Sequence, residues 1–194
     1  METVKNGSSR SVGIIMSQRI FCRFTRDRQA ESLGISEVPQ GGMCLSSFLV
    51  LTRKKGEVLM GKVNPEADWA YVGALDSKRV NWFKDGWMLP SSHLILYESP
   101  QDAAMRIARE QLGLDKIELK GPKVVSEVYD NPRFPDRKNH WDIEFIFTGS
   151  IDEAPKDFPP VWKELRLVDL NKVSKSSIVR SHDDIIQYSG VYAF

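Results

Sequence analysis

His140, Asp142 and Glu144 alternate through a run of strand-forming residues, and side chains that alternate along a strand share one face. An imidazole and two carboxylates then recur at same-side positions about 7 Å apart. Such a set suits a divalent cation, or proton transfer with His140 as general base. The same residues also fit an ordinary solvated strand face. Trp69, Tyr71 and Trp82 lie among polar residues between Asn64 and Asp85. Rings placed there either stack on a nucleobase or pack beneath their own loop. Arg133, Arg137 and Lys138, just before the His140 strand, suit a bound phosphate as well as they suit a solvated basic loop.

The elements that must position these residues follow from punctuation and period. Met43 to Leu51 reads as a buried strand, and a polar turn ending at Gly56 returns the chain through Val58 to Val63 as a hairpin. Asn64 to Asp85 reads as loop, and Gly86 to Pro90 as a short strand ended by proline. Ser99 caps a helix with Pro100 in its first turn and Asp102 three residues on, approximating a capping box. Ala103, Ala104, Ile107, Ala108, Gln111 and Leu112 keep helical spacing, and Gly113 stops the helix. Lys123 to Tyr129, His140 to Thr148 and Glu164 to Val168 read as strands, and Ser181 to about Tyr188 as a capped C-terminal helix whose His182 has no chemical task. Strands mixed with two or three helices in one unit make an α/β or α+β domain.

The stretch Leu89 to Leu114 resembles the Nudix family of nucleoside diphosphate-X hydrolases. That family's signature runs Gly, five residues, Glu, seven residues, Arg-Glu, an aliphatic residue, any residue, Glu-Glu, any residue, Gly and an aliphatic residue. In unbroken register, Ser92 stands at the glycine, Glu98 at the first glutamate, Arg106 at the arginine, Glu110 at the first of the paired glutamates and Gly113-Leu114 at the end. Trp87-x-Leu89-Pro90, Ala103-Ala104 and Glu164 to Val168 are also similar to the family, so the likeness spans roughly residues 43 to 173. It implies a Nudix-type α/β/α sandwich with a mixed central sheet, covering residues 41–194 behind an extension of residues 1–40.

The resemblance also implies a chemistry. Glutamates three and four residues apart share a helix face, where they gather Mg²⁺ or Mn²⁺ and orient water against phosphorus. Here Ile107 and Gln111 replace two of the three helix carboxylates. Glu110 remains as metal ligand and catalytic residue, with Glu98, Asp142 and Glu144 as the acids that could complete the site. Glu98 has a second reading, as the partner of Arg106 holding loop to helix. On the charge argument, returning glutamate to positions 107 and 111 tightens metal binding. Ser91-Ser92 stands where the family has Gly-Gly, and His93 reads as a loop contact.

Two functions follow from the resemblance. One is a metal-assisted hydrolase of a nucleoside diphosphate derivative, nucleotide sugars included, with His140 as base and Arg133, Trp69 and Trp82 on the substrate. The other is an inactive nucleotide-binding or protein-interaction module that keeps the fold. Composition bounds both. The chain has 194 residues, 41% hydrophobic and 27% charged, with 9 Phe, 5 Trp and 5 Tyr, enough for one real core. A net charge of +1 gives no global field toward nucleic acid or anionic membrane. No apolar run approaches the roughly 18 residues of a membrane span. Cys22 and Cys44 are too few for a disulfide framework, which fits a reducing cytoplasm. Glu2, Asp27 and Glu31 argue against a transit peptide. The arginines of the extension, Arg19 among them, are expected to pack on the core or to meet phosphate or a partner subunit, as in a homodimer.

Overall fold

The computed structural model describes residues 19–24, 42–129 and 140–194. Among them seven strands form one mixed sheet. They are β1 (Arg23–Phe24), β2 (Met43–Thr52), β3 (Glu57–Val63), β4 (Ser91–His93), β5 (Lys120–Tyr129), β6 (His140–Ser150) and β7 (Trp162–Asp169). The path across the sheet is β5-β6-β2-β3-β7, with β1 and β4 also paired to β2. β2 and β6 run parallel, from Met43 opposite Trp141 to Thr52 opposite Ser150, and the other pairs are antiparallel. The β2–β3 hairpin closes through Glu57 N–H to Lys54 C=O at 3.0 Å, with Gly56 at φ +81°, where a side chain would be strained.

Alternation along the strands feeds two cores. On one face Leu49, Leu51, Leu59 and Phe147 pack with Ala104, Ile107, Ala108 and Leu112 of α3 (Pro100–Leu112). Two short helices, α1 (Trp69–Gly73) and α2 (Ser77–Phe83), add Trp69 and Val80 to that core. On the other face Phe48, Val50, Val58, Met60 and Ile146 meet Ile185 and Ile186 of α4 (His182–Ser189). Each fully buried Leu or Ile contributes about 1.5–3 kcal/mol, so helices on both faces are what make the sandwich stable. This is the α/β/α architecture expected from the sequence.

The differences lie where local signals were weak. Residues 64–85 hold α1 and α2, each opened by an aspartate: Asp68 accepts from Tyr71 N–H at 3.0 Å and Asp76 from Arg79 N–H at 2.9 Å. Trp87 and Met88 form only isolated bridges, to Ile178 and Gly61, while the strand falls at Ser91–His93. Ser181 occupies the N-cap position of α4 in a left-handed conformation and makes no capping hydrogen bond with its side chain. Among the described residues no helix is long and apolar enough to cross a membrane.

Candidate functional site

Helix α3 is set at both ends by local chemistry. Ser99 Oγ accepts from Asp102 N–H at 3.1 Å and donates to the Asp102 carboxylate at 2.6 Å. Ser47 Oγ donates to Pro100 C=O at 3.3 Å, tying the first turn to β2. Gly113 ends the helix at φ 70°, and its N–H turns back to Arg109 C=O at 3.0 Å. A Cβ there would lie 3.2 Å from Asp157 C=O, so both conformation and space call for glycine.

At the N-terminal side, Glu98 and Arg106 form a two-pronged ion pair at 2.7 and 2.8 Å. The side chains are 12% and 7% exposed respectively, so solvent screens them little. Glu98 also accepts Ile95 N–H at 2.9 Å, and Arg106 donates to His93 C=O at 3.0 Å and to Ser92 Oγ at 3.4 Å. Both residues are thereby committed to holding β4 and its following loop against α3. Ser91 and Ser92 lie in extended β4, opposite Phe48 and Ser47, so no glycine is required at either position. His93 sits on that strand, buried, with Nδ1 and Ser46 Oγ sharing a hydrogen bond at 2.9 Å.

Ile107 and Gln111 have been absorbed by the fold. Ile107 is wholly buried among Leu49, Phe147 and their neighbours. Gln111, equally buried, accepts Ser91 N–H at 3.1 Å and donates to Ser91 C=O at 2.8 Å and Val72 C=O at 3.1 Å. A primary amide satisfies a peptide's donor and acceptor together. An ionised carboxylate could meet only the donor.

Glu110 is held by a residue from far upstream. Arg19 Nη1 donates to Glu110 Oε2 at 2.7 Å while Nη2 donates to Oε1. Nη1 also reaches Tyr71 C=O at 2.9 Å, and the guanidinium lies 3.6 Å from the centre of the Tyr71 ring. Burial disfavours the Arg19 charge, but Glu110 and Tyr71 outweigh it and raise the pKa above the ordinary arginine value. The segment carrying Arg19 is built into the sheet: Leu96 N–H bonds to Ile20 C=O and Cys22 N–H to Leu94 C=O, both at 2.8 Å.

The strand acids lie elsewhere. Asp142 and Glu144 share the parity of Ile146, which packs under α4, so they occupy the face opposite α3. Their neighbour there is Tyr188, whose hydroxyl donates to Glu127. That bond first, then burial and the charges of Glu127, Asp184 and Glu144, push the Tyr188 pKa up to about 12. Among the described residues no group of three His, Cys, Asp or Glu side chains could hold a metal ion. With Ile107 in the core, Gln111 spent on backbone and Glu110 paired to Arg19, the α3 face does not fit Mg²⁺ or Mn²⁺.

Of the aromatics, Trp69 is buried, its Nε1–H bonded to Val161 C=O at 3.0 Å and its ring edge-on to Trp162, so it is not available to stack on a base. Trp82 is half exposed on α2, stacked beside Phe83. His140 opens β6, but its side chain, like all of Arg133, Arg137 and Lys138, lies outside the described residues. The sequence reading did not single out the pocket that flanks the Arg19 ion pair. It measures about 490 Å³, and its walls include Arg19, Phe21, Leu75, Asp76, Arg79 and His93. Arg79 is steadied by Asp76, Nε to Oδ2 at 2.7 Å. Only the arginine content of the extension hinted at it.

A mixed sheet between α3 on one face and α4 on the other, with a Gly-ended helix tied to its preceding loop by Glu98 and Arg106, is the Nudix fold. The Nudix domain of NrtR from Shewanella oneidensis, solved as a complex with ADP ribose, superposes with a TM-score of 0.53 at 15% identity, over 84% of this chain and 96% of that one. DR0079 from Deinococcus radiodurans gives 0.51 at 11% identity over 81% and 88%. A MutT Nudix hydrolase from Burkholderia pseudomallei gives 0.50 at 15% over 75% and 97%. At such identities the likeness is one of fold. No protein-family model matches the chain, and no curated protein matches it by sequence.

Proposed function

We propose that this chain is a Nudix-fold module that binds a nucleoside diphosphate derivative without hydrolysing it through a divalent metal. The observation that carries the reading is the two-pronged Arg19–Glu110 pair, which engages the last carboxylate of the α3 face with an internal cation. The buried Ile107 and the backbone-bonded Gln111 support it from the same helix. The ligand class is supported by the adjoining pocket, whose lining holds the guanidinium groups of Arg19 and Arg79, the second paired with Asp76, beside the Phe21 ring and the His93 imidazole. It is supported too by the ADP ribose complex of the similarly folded NrtR domain. The hydrolase alternative needs carboxylates from elsewhere to converge on Glu110, and among the described residues no group of three His, Cys, Asp or Glu side chains could hold a metal ion.

The test is a turnover screen of ADP-ribose, nucleotide sugars, dinucleotides and nucleoside triphosphates with Mg²⁺ and Mn²⁺, paired with thermal unfolding in the presence of each compound. No ion-dependent phosphate release is expected, and a bound compound should raise Tm because it favours the native state. Ion-dependent release that disappears in Glu110→Gln would overturn the reading in favour of the hydrolase.

A further inference from the structure

We infer that Arg19 is a resident cation at the place where this fold would otherwise recruit a divalent ion, and that it meets the anionic end of a ligand in the adjoining pocket. The ligand half of the inference rests on the proposed nucleotide-binding function; the cation half does not. Four charges run in sequence here. Glu98 pairs with Arg106, Arg106 Nη1 lies 4.0 Å from Glu110, and Glu110 pairs with Arg19. Two carboxylates are matched by two guanidinium groups. An arriving Mg²⁺ would have to displace Arg19 from Glu110 and would still face Arg106, a like charge, at short range.

The residue is also presented as a fixed ligand group. The backbone around it is fastened on two sides, by Ile20 and Cys22 to Leu96 and Leu94, and by Cys22 C=O to Leu45 N–H at 3.3 Å. Its guanidinium rests on the Tyr71 ring, which holds the plane of the fork. A guanidinium has five N–H donors, and those bound to Glu110 and Tyr71 do not exhaust them. The side chain lines the pocket together with His93, Arg79 and the Asp76 carboxylate paired to Arg79, so an anion there is met chiefly by the guanidinium groups of Arg19 and Arg79.

Two measurements on the full chain decide this. Free Mn²⁺ is followed by electron paramagnetic resonance during titration of the wild type and of Arg19→Ala. ADP-ribose binding is followed by calorimetry in chelator and in excess Mg²⁺ for the wild type, Arg19→Ala and Arg19→Lys. The wild type should take up Mn²⁺ at least about tenfold more weakly than Arg19→Ala, because the variant frees Glu110. It should bind ADP-ribose equally well with and without Mg²⁺. Arg19→Ala should weaken that binding by about tenfold or more, with Arg19→Lys recovering only part because an ammonium lacks the fork. Arg19→Lys also keeps the test valid if the alanine variant folds poorly. Mn²⁺ uptake by the wild type as tight as by Arg19→Ala would overturn the resident cation. ADP-ribose binding that requires Mg²⁺, or that is unchanged in Arg19→Ala, would overturn the role of Arg19 while leaving nucleotide binding intact. Failure of the wild type to bind any nucleotide would overturn the ligand half, and the Mn²⁺ titration would still decide the cation half.

Discussion

Gln111 shows how a single atom can move a residue from chemistry to architecture. Its amide closes on both polar groups of Ser91 and on Val72 C=O inside the core. Gln111→Glu would place an ionised oxygen against two carbonyls and is expected to lower stability by about 3 kcal/mol or more near neutral pH. The loss should shrink as pH falls toward about 5, because a protonated carboxyl regains a donor. Urea unfolding of both forms at two pH values checks this. Ile107→Glu is expected to be worse still, since Ile107 is wholly buried and its neighbours are apolar. The structure sets a stability cost against the sequence argument that glutamates restored at 107 and 111 tighten metal binding. Restoration would attack the core before it could build a site. His182 makes a third case. It is fully buried, its Nδ1 accepts Leu89 N–H at 2.9 Å, and its ring lies edge-on to Phe48. Burial first, then the charge of Arg180, lowers its pKa well below 6.5. The unfolded chain therefore binds the proton more readily, and stability should fall as pH drops below about 6.5, by at most about 1.4 kcal/mol per pH unit. Tm measured between about pH 7.5 and 5 should show this slope. His182→Asn, whose side-chain carbonyl can take the Leu89 N–H, should flatten it.

At the scale of elements, α3 was the most legible feature of the chain because its signals are local and agree. Ser99, Pro100, Asp102, the apolar spacing and Gly113 each act within one or two turns, and the helix begins and ends where they place it. Ser99→Ala should cost about 1 kcal/mol through loss of the cap. Gly113→Ala should cost about 1–2 kcal/mol, since an L residue is strained at positive φ. Thermal unfolding with α3 helicity followed by circular dichroism measures both. Helices α1 and α2 escaped the sequence reading although Asp68 and Asp76 cap them. Helices of 5 and 7 residues show no sustained period and owe their stability to Trp69 and Val80 in the core, which only packing reveals. β4 was missed for a related reason. Ser91–His93 has no strand propensity, and its extended form comes from pairing with β2 and from the amide of Gln111.

For the whole molecule, the two sheet faces carry different charged sets, and His93, in register through Ser46 with Glu144, joins them at the pocket beside Arg19. Glu98, Arg106, Glu110 and Arg19 meet on the α3 face, whereas Asp142, Glu144, Glu127 and Tyr188 gather on the α4 face. Tyr188 is held protonated to about 12, above the usual 10.0, so its contribution to stability should be complete below pH 10 and fade as pH rises toward 12. Tyr188→Phe should remove that alkaline dependence in thermal unfolding scans. Sequence was enough for the family resemblance, the sandwich architecture, helix α3 and the register that isolates Glu110, because these rest on short-range periodicity, capping and an unbroken motif. It was also enough to place Asp142 and Glu144 on one strand face, since alternation is a property of a single chain segment. Which helix covers that face depends on contacts between residues far apart in sequence. So does the partner of Glu110, which comes from 91 positions upstream. Tertiary structure alone decided those matters, because ion pairs and burial are set by distance in space, which one-dimensional spacing does not encode across separate elements.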